Sequence, residues 1–243
     1  MLNIFTLKVG DKYSPEYVNK LYKNINKNTS VDFDFYCYTE DSSELHSDIK
    51  IINLKERPDV IKQWYKIDFH NMPQFLGQKC LILDIDLLIN SNLDELLGFD
   101  LLANHFGVFE IWWNWGYCKY NGGFQMFHQG DTKHLYDKFY ENPRYWQEYY
   151  IKIGKAEPPV NGEQNFICEH LKIPVHSFPK IWYVKYANRT LERIKNIWRT
   201  EICPNTEFIE KENLNKKIKI AHFANSDNYL HLQINDKIVR ENW

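Results

Sequence analysis

The chain has 243 residues, of which 44% are hydrophobic, and its formal net charge is −2 at pH 7. This length and composition support one large domain or two small ones with a packed core. The near-neutral charge gives no support for a broad face that binds nucleic acid.

Strands and helices alternate in the first third of the sequence. Strands are predicted at residues 3–9, 31–39 and 49–54. A helix is predicted to begin after Ser14, because Ser14 suits the cap, Pro15 the first helical position and Glu16 the first turn. Residues 58–75 have apolar side chains at helical spacing and are predicted to be mostly helical.

The functional prediction depends on the next segment, residues 80–86. Five of its seven residues are apolar with no polar face, which is typical of a strand buried on both sides of a sheet. Asp84 and Asp86 come at the end of this strand and would point to the same side. Two such carboxylates repel each other unless one is protonated or a cation lies between them. A divalent metal would bind oxygens from both and keep positions free for substrate phosphates.

An alternative is that the two aspartates act only as turn residues or as a helix cap. The following segment has a capping signal of its own, because Asn92 precedes Glu95 by three residues. The aspartate pair is therefore not needed as a cap and remains available for chemistry.

The second half of the chain is predicted to contain shorter elements. Strands are predicted at residues 105–111, 124–127 and 218–221, and helices at residues 132–140 and 163–171. Asn121-Gly122-Gly123 is predicted to be a turn before the strand at residue 124. The basic run at residues 180–199 fits a solvated helix face better than a phosphate or membrane contact.

This order of elements predicts an α/β fold with a mostly parallel central sheet flanked by helices. In such sheets, ligands bind outside the carboxyl ends of the strands. Asp84 and Asp86 lie at such an end. Lys8 and Gly10 would lie near them if the first strand runs parallel to the strand at residue 80.

Cysteine and tryptophan usage adds two expectations. The five cysteines form no Cys-x-x-Cys pair, which argues against a thiolate zinc site. Free thiols, with no signal-like N-terminus and no apolar run long enough to span a bilayer, predict a cytoplasmic protein without a transmembrane segment. Trp112, Trp113 and Trp115 form an aromatic group that would be core or, if exposed, a platform on which sugars stack.

Several short motifs, in this order along the chain, resemble the GT-A-type nucleotide-sugar glycosyltransferases, most closely the glycogenin and bacterial galactosyltransferase group with its microbial and viral relatives. The matching segments are Thr6-Leu7-Lys8-Val9-Gly10 with Tyr13, Trp64-Tyr65-Lys66, Leu83-Asp84-Ile85-Asp86, Asn121-Gly122-Gly123-Phe124, Gly162-Glu163-Gln164-Asn165 and Ala221-His222-Phe223. In the family, the segment similar to the first holds the nucleotide base, and the second brings a Lys to the donor. The third binds metal through Asp-x-Asp. The fourth and fifth form the Asn-(Ser/Ala)-Gly and Gly-Asp-Gln turns beside the sugar, and the sixth, a late His-Phe, completes the metal shell.

The resemblance implies a single GT-A-like (Rossmann-like) domain over residues 1–243, with a nucleotide-binding half at about 1–100 and an acceptor half at about 101–243. It implies hexosyltransferase-like transfer from a UDP- or GDP-sugar to a glycan or another hydroxyl acceptor. It also implies Mn²⁺ or Mg²⁺ held by Asp84, Asp86 and His222, and catalytic roles for Glu163 and Gln164. The implied donor-binding residues are Thr6, Lys8, Tyr13, Lys66, Asp84, Ile85, Asn121, Gly122 and Gly123.

The stereochemistry of transfer stays open at this stage. The resemblance favours retention, and in an inverting enzyme Glu163 would be the candidate base. One segment departs from the family pattern. Family members commonly continue after His-Phe with Gly and Lys-Pro residues that close over the diphosphate, whereas residues 224–228 of this chain contain no Lys.

Three other functions share part of these features. A haloacid-dehalogenase-like phosphatase also has Asp-x-Asp after a buried strand, but Gly-Thr or Gly-Val normally follows, whereas Leu87-Leu88 follow here. A nucleotidyltransferase would have a Gly-rich phosphate loop after its first strand, and this sequence lacks one. A non-catalytic sugar- or nucleotide-binding module with a vestigial metal site is the third, and the altered segment after His222 is its best support.

Overall fold

The structure, a computed structural model, describes residues 1–110, 119–152, 162–185, 209–210, 213–214, 216–223, 230–233 and 237–243. The chain divides into two compact units. The first unit comprises Met1–Glu16, Asp32–Asp84 and Asp100–Ser177, and the second comprises Tyr17–Val31, Ile85–Phe99 and Phe178–Trp243.

The elements alternate between strands and helices along the chain. The strands are β1 (Leu2–Lys8), β2 (Phe33–Thr39), β3 (Lys50–Asn53), β4 (Lys79–Leu83), β5 (Leu87–Ile89), β6 (Phe106–Glu110), β7 (Tyr120–His128), β8 (Val175–Ser177), β9 (Tyr183–Lys185), β10 (Ile209–Glu210), β11 (Asn213–Leu214) and β12 (Ile220–His222). The α-helices are α1 (Pro15–Lys27), α2 (Asp94–Leu97), α3 (Lys133–Tyr140), α4 (Pro143–Lys152), α5 (Gly162–His170) and α6 (Lys237–Asn242). The 3₁₀ helices are Lys62–His70, Pro73–Phe75, Lys180–Trp182 and Leu230–Gln233.

In the first unit, seven strands form one sheet in the order β3-β2-β1-β4-β7-β6-β8. Strand β1 is parallel to β2 and β4, β2 is parallel to β3, and β6 is parallel to β8, whereas β7 is antiparallel to both of its neighbours. The predicted α/β fold with a mostly parallel central sheet is therefore confirmed. Because β1 and β4 run parallel, with Phe5 opposite Ile82, their carboxyl ends lie at the same edge, as the sequence predicted.

The predicted turn at Asn121-Gly122-Gly123 is wrong. These residues lie inside β7, and neither glycine has a positive φ. Strand β7 pairs with β4 from Phe124 to His128, and its pairing with β6 shifts register across Asn121, Gly122 and Gly123. The N–H groups of Gly122 and Gly123 instead donate to Gln164 Oε1 and Asn121 Oδ1, and the carbonyl of Gly123 accepts from the N–H of Asp84. Sequence alone favours a turn at two adjacent glycines because the partner strands are distant along the chain.

Two helical regions also differ in detail from the prediction. The predicted helix at residues 58–75 is present as two 3₁₀ helices, Lys62–His70 and Pro73–Phe75. Helix α4 was not predicted, although Asn142 followed by Pro143 was a usable start signal. Asn142 Oδ1 accepts a hydrogen bond from the backbone N–H of Tyr145 at 3.0 Å, as a helix cap does.

An aromatic cluster packs the 3₁₀ helix Lys62–His70 against helices α3 and α5. The Trp64 indole stacks on Phe139, with ring centroids 5.2 Å apart and 10° between the planes. It also meets the ring of Phe166 at 6.1 Å, edge to face. A Cβ added to Gly162 would lie 2.4 Å from Trp64 Cζ2. The missing side chain at Gly162 therefore lets the indole pack directly against the first residue of α5.

A buried ion-pair network lies on the same side of the sheet. The Asp68 carboxylate accepts hydrogen bonds from Tyr38 at 2.8 Å, from Arg57 at 2.6 Å and from Tyr140 at 2.6 Å. The Arg57 guanidinium also lies 5.2 Å from the ring centroid of Tyr65 and 4.7 Å from that of Tyr140. Both carboxylate oxygens have donors, so this largely buried charge is compensated.

In the second unit, β12 is the central strand of a three-stranded sheet, antiparallel to β5 and parallel to β9. It ends at His222, opposite Leu87, which confirms the predicted last strand. Helix α1 begins at Pro15, as predicted, and buries Val18, Leu21 and Ile25 at helical spacing. Among the described residues, no helix has both the length and the apolar character that crossing a membrane requires.

Candidate functional site

Asp84 directly follows β4, and contacts from two neighbouring strands fix its main chain. The Thr6 hydroxyl on β1 donates to the carbonyl of Leu83 at 2.9 Å. The N–H of Asp84 donates to the carbonyl of Gly123 on β7 at 3.1 Å. The Thr6 hydroxyl, predicted to lie near the nucleotide, is thus engaged within the sheet. The Asp84 carboxylate is carried on a backbone held by both β1 and β7.

The Asp84 carboxylate belongs to a cluster of three charged side chains in the first unit. Lys66 Nζ lies 2.5 Å from Asp84 Oδ1 and 3.3 Å from Glu163 Oε1. Lys66 comes from a 3₁₀ helix and Glu163 from the first turn of α5, and both are buried, at 7% and 4% exposure. One ammonium group therefore lies between two carboxylates and compensates only one of the two negative charges.

The pKa of Glu163 is raised above the usual value for a glutamate. Burial raises the pKa of Glu163, the Lys66 ammonium opposes that rise, and the Asp84 carboxylate adds to it. Glu163 Oε2 is buried and has no hydrogen-bond partner among the residues that the structure describes. Leaving a buried acceptor unsatisfied is costly, so this oxygen is suited to accept a hydrogen bond from a bound hydroxyl.

Asp86 and His222 lie side by side in the second unit. Strand β12 ends at His222 opposite Leu87, so the pairing of β5 with β12 brings the imidazole next to Asp86. Asp86 Oδ1 lies 3.4 Å from His222 Nε2, and the carbonyl of Asp86 accepts a hydrogen bond from the N–H of Phe223 at 2.9 Å. The ring of Tyr183 on β9 meets the imidazole edge to face, with centroids 5.9 Å apart. These contacts orient Nε2 towards the carboxylate.

Two carboxylates and this imidazole form a possible metal-binding group. Asp84 and Asp86 are separated in the chain only by Ile85, and ligand atoms of Asp84, Asp86 and His222 all lie within 4.8 Å of one another. A donor set of mainly carboxylate oxygen suits Mn²⁺ or Mg²⁺, and three protein ligands leave positions of an octahedral ion for phosphate oxygens and water.

The predicted segments around Asn121 and Gln164 are brought into contact. The N–H of Gly122 on β7 donates to Gln164 Oε1 on α5 at 2.8 Å, across 42 positions of sequence. The N–H of Gly123 donates to Asn121 Oδ1 at 2.6 Å. Strand β7 therefore fixes both the side chain of Gln164 and the main chain of Asp84.

The other predicted nucleotide-binding residues lie at and after the carboxyl end of β1. Lys8 is the last residue of β1 and is 6% exposed. Gly10 adopts a φ of 66° and donates its N–H to Glu40 Oε1 at 2.5 Å. Tyr13 follows in the loop, where the Lys12 ammonium lies 4.6 Å from its ring centroid.

Some predicted features lie outside the described residues. They are Trp112, Trp113 and Trp115, the segment 224–228 after the His-Phe motif, and the part of the basic run beyond residue 185. Gln125, which the structure connects to the site, was not predicted from the sequence. Its side chain is 1% exposed and donates to the carbonyl of Gly122 at 3.1 Å. A buried polar residue within an apolar strand segment was the available signal.

We expect Gly162→Ala to destabilise the fold by about 1–3 kcal/mol, measured by chemical denaturation. The added Cβ would overlap Trp64 Cζ2, and stacking on Phe139 keeps the indole from moving away. Trp64→Phe removes the overlapping atom, so the double variant should be less destabilised than the sum of the two single variants. Strictly additive changes would contradict this account of the contact.

Comparison by sequence finds no matching protein-family model and no matching curated protein. Comparison by structure finds clear similarities. The galactosyltransferase LgtC, solved with donor and acceptor sugar analogues, aligns with a TM-score of 0.64 and 14% identity over 99% of this chain and 96% of that one. The glycosyltransferase GlyE of Streptococcus pneumoniae aligns with a TM-score of 0.61 and 13% identity over 94% of this chain and 56% of that one. Mouse xyloside xylosyltransferase 1 aligns with a TM-score of 0.57 and 12% identity over 93% and 98%.

At identities of 12% to 14%, these alignments report a common fold and not a common substrate. The solved proteins are glycosyltransferases, and the alignments cover nearly the whole of this chain. The fold expected from the short motifs is confirmed. This chain has the fold of the GT-A glycosyltransferases.

Proposed function

We propose that residues 1–243 act as one metal-dependent glycosyltransferase domain. It would transfer a sugar, which we propose is a hexose, from a UDP- or GDP-sugar to a hydroxyl group of a glycan or another acceptor. The observation that carries the proposal is the grouping of Asp84, Asp86 and His222 at the end of a buried strand in a GT-A fold. The free thiols of the described cysteines suit a reducing compartment, so a cytoplasmic location is part of the proposal.

The donor atoms of this group fit a divalent cation. Asp84 and Asp86 would supply carboxylate oxygens, and His222 would supply Nε2, which already faces Asp86 at 3.4 Å. When bound, Mn²⁺ or Mg²⁺ would stabilise the negative charge that develops on the departing diphosphate. Asp86 and His222 are 7% and 9% exposed, so the charges would interact in a poorly solvated place where they are strong.

Lys66 is proposed to help bind the diphosphate. In the described arrangement its ammonium compensates Asp84 and Glu163. A metal on Asp84 would compensate that carboxylate in its place, and the Lys66 ammonium could then donate to a phosphate oxygen. Thr6, Lys8 and Tyr13 are proposed to line the nucleotide side, since they lie on β1 and in the loop that follows it.

Glu163 and Gln164 are proposed to face the donor sugar and the acceptor hydroxyl. The buried Glu163 Oε2 lacks a hydrogen-bond donor among the described residues, and an acceptor hydroxyl would provide one. In an inverting reaction Glu163 would remove the hydroxyl proton, and its raised pKa would make it a stronger base than an exposed carboxylate. In a retaining reaction Glu163 and Gln164 would instead position the two sugars through hydrogen bonds.

Manganese with the correct nucleoside diphosphate should stabilise the protein by roughly 2.7 kcal/mol at about 100 times the dissociation constant. A thermal-shift panel of UDP, GDP and their sugars, with and without manganese, measures this. The stabilising nucleotide then identifies the donor for a turnover assay. No shift with any of these nucleotides would overturn the proposal.

The segment after His222, which lacks the family Lys, favours a second candidate, a sugar-nucleotide-binding module without turnover. Both candidates predict the same thermal shift. Slow manganese-dependent hydrolysis of the bound nucleotide sugar distinguishes them, because a transferase transfers its sugar to water when the acceptor is missing. Binding without any hydrolysis or transfer would favour the module.

A further inference from the structure

We infer that Gln125 is a positioning residue that orients the Gln164 side chain through the Gly122 peptide group. The inference deepens the proposed function, because it concerns a residue predicted to face the donor sugar. Gln125 itself is enclosed in β7 at 1% exposure, so it would act on the reaction only through Gln164.

A continuous set of hydrogen bonds joins the two side chains. Gln125 Nε2 donates to the carbonyl of Gly122 at 3.1 Å. The N–H of the same residue, Gly122, donates to Gln164 Oε1 at 2.8 Å. The first bond restrains the strand backbone around Gly122, and the second fixes the Gln164 amide with its Oε1 towards β7. The remaining amide nitrogen of Gln164 is thereby given one defined direction.

Gly122 is suited to this arrangement because it has no side chain. A Cβ at this position would lie 3.0 Å from Gln164 Oε1 and 3.2 Å from Gln164 Cβ. Contacts of that length are tighter than ordinary van der Waals contact, so Gln164 would have to move.

His70 is a neighbour of the Gln125 side chain. Its Nδ1 lies 3.0 Å from Thr132 Oγ1, which fixes the ring. His70 Nε2 and Gln125 Oε1 are both buried without an ordinary hydrogen-bond partner among the described residues, yet the two side chains interact. Burial and, to a smaller extent, His134 lower the pKa of His70 to about 3, and Gln125 opposes this shift. The imidazole stays neutral near pH 7, so it places no charge beside the Gln125 amide, whose Nε2 donates to the carbonyl of Gly122.

The test compares Gln125→Leu with Gln129→Leu. Leucine fills similar space but removes the amide. Gln129 is a matched control because it is 3% exposed and directly follows β7. Among the described residues, its side chain makes no hydrogen bond to Gly122 or Gln164. Both variants remove a buried amide, so both measure the general cost to stability.

The first readout is structural and does not need activity. In ¹⁵N NMR spectra, Gln125→Leu should shift the Gly122 amide and the Gln164 side-chain amide and increase the exchange rate of the Gly122 N–H about tenfold. Gln129→Leu should leave all three unchanged. Unchanged Gly122 and Gln164 signals in Gln125→Leu would overturn the inference even if the protein proves not to be a transferase.

The second readout is kinetic. Gln125→Leu should lower kcat about tenfold and leave the KM for the nucleotide sugar and the manganese-dependent thermal shift near the parent values. Gln129→Leu should retain the parent kcat. Equal losses of kcat in the two variants would show that Gln125 contributes only to the stability of the fold, which would contradict the inference. Shifted Gln164 signals in a protein that turns over no donor would reject the proposed function and leave the positioning contact intact.

Discussion

An Asp86→Asn variant is expected to lose its thermal response to manganese and to transfer sugar at least about a hundredfold more slowly than the parent. The amide keeps the shape of the side chain but removes one negative charge and a strong metal ligand. Asp86 Oδ1 lies 3.4 Å from His222 Nε2, so the substitution changes the donor set without opening a cavity. Thermal melting with and without manganese, together with turnover, measures both effects.

The metal-free stability of Asp86→Asn should stay within about 1 kcal/mol of the parent. Lys66 already compensates Asp84 at 2.5 Å, so removing the second carboxylate relieves little repulsion. Asp137→Asn is the control, because that aspartate pairs with Lys133 on the exposed surface of α3 and should leave the manganese response unchanged. An Asp86→Asn protein that melts lower yet transfers normally would identify Asp86 as a structural cap and not as a ligand.

The largest loss of stability is expected for Asp68→Asn, about 3 kcal/mol by chemical denaturation. The substitution leaves the Arg57 guanidinium without its anion, and it weakens the hydrogen bonds from Tyr38 and Tyr140. Burial, and then the Asp68 carboxylate, raise the pKa of both tyrosines, so they remain neutral donors and cannot adjust by ionising.

Asp68→Asn should lower the free energy of unfolding without affecting metal binding by the folded protein. The variant should keep its manganese response at temperatures where it is folded, because Asp68 has its partners in the network of Arg57 and the two tyrosines. Asp137→Asn again serves as the control, since an exposed ion pair four residues apart on a helix contributes only a few tenths of a kcal/mol. A loss below 1 kcal/mol for Asp68→Asn would mean that water reaches and compensates the network.

Local sequence was sufficient for the strand that carries the site. An apolar run without a polar face predicts a doubly buried strand, and Asp-x-Asp at its end predicts two carboxylates at the ligand edge of the sheet. Strand β4 ends at Leu83, directly before Asp84. The late strand ending at His222 followed from the same kind of local pattern. Such signals are local because side-chain periodicity is a property of a few consecutive residues.

Tertiary structure decided which side chains meet and how each is used. Lys66 lies between Asp84 and Glu163 because a 3₁₀ helix, a strand end and a helix start converge there, and no local pattern encodes that convergence. Asn121-Gly122-Gly123 is strand and not turn because distant residues, Gln164 and Asp84, satisfy backbone groups of its two glycines. By itself the sequence determined the α/β order, the buried strand and the chemical types at the site. The pairing of distant segments determined the charge compensation and the orientation of each group, because electrostatic and packing energies depend on distances that only the folded chain defines.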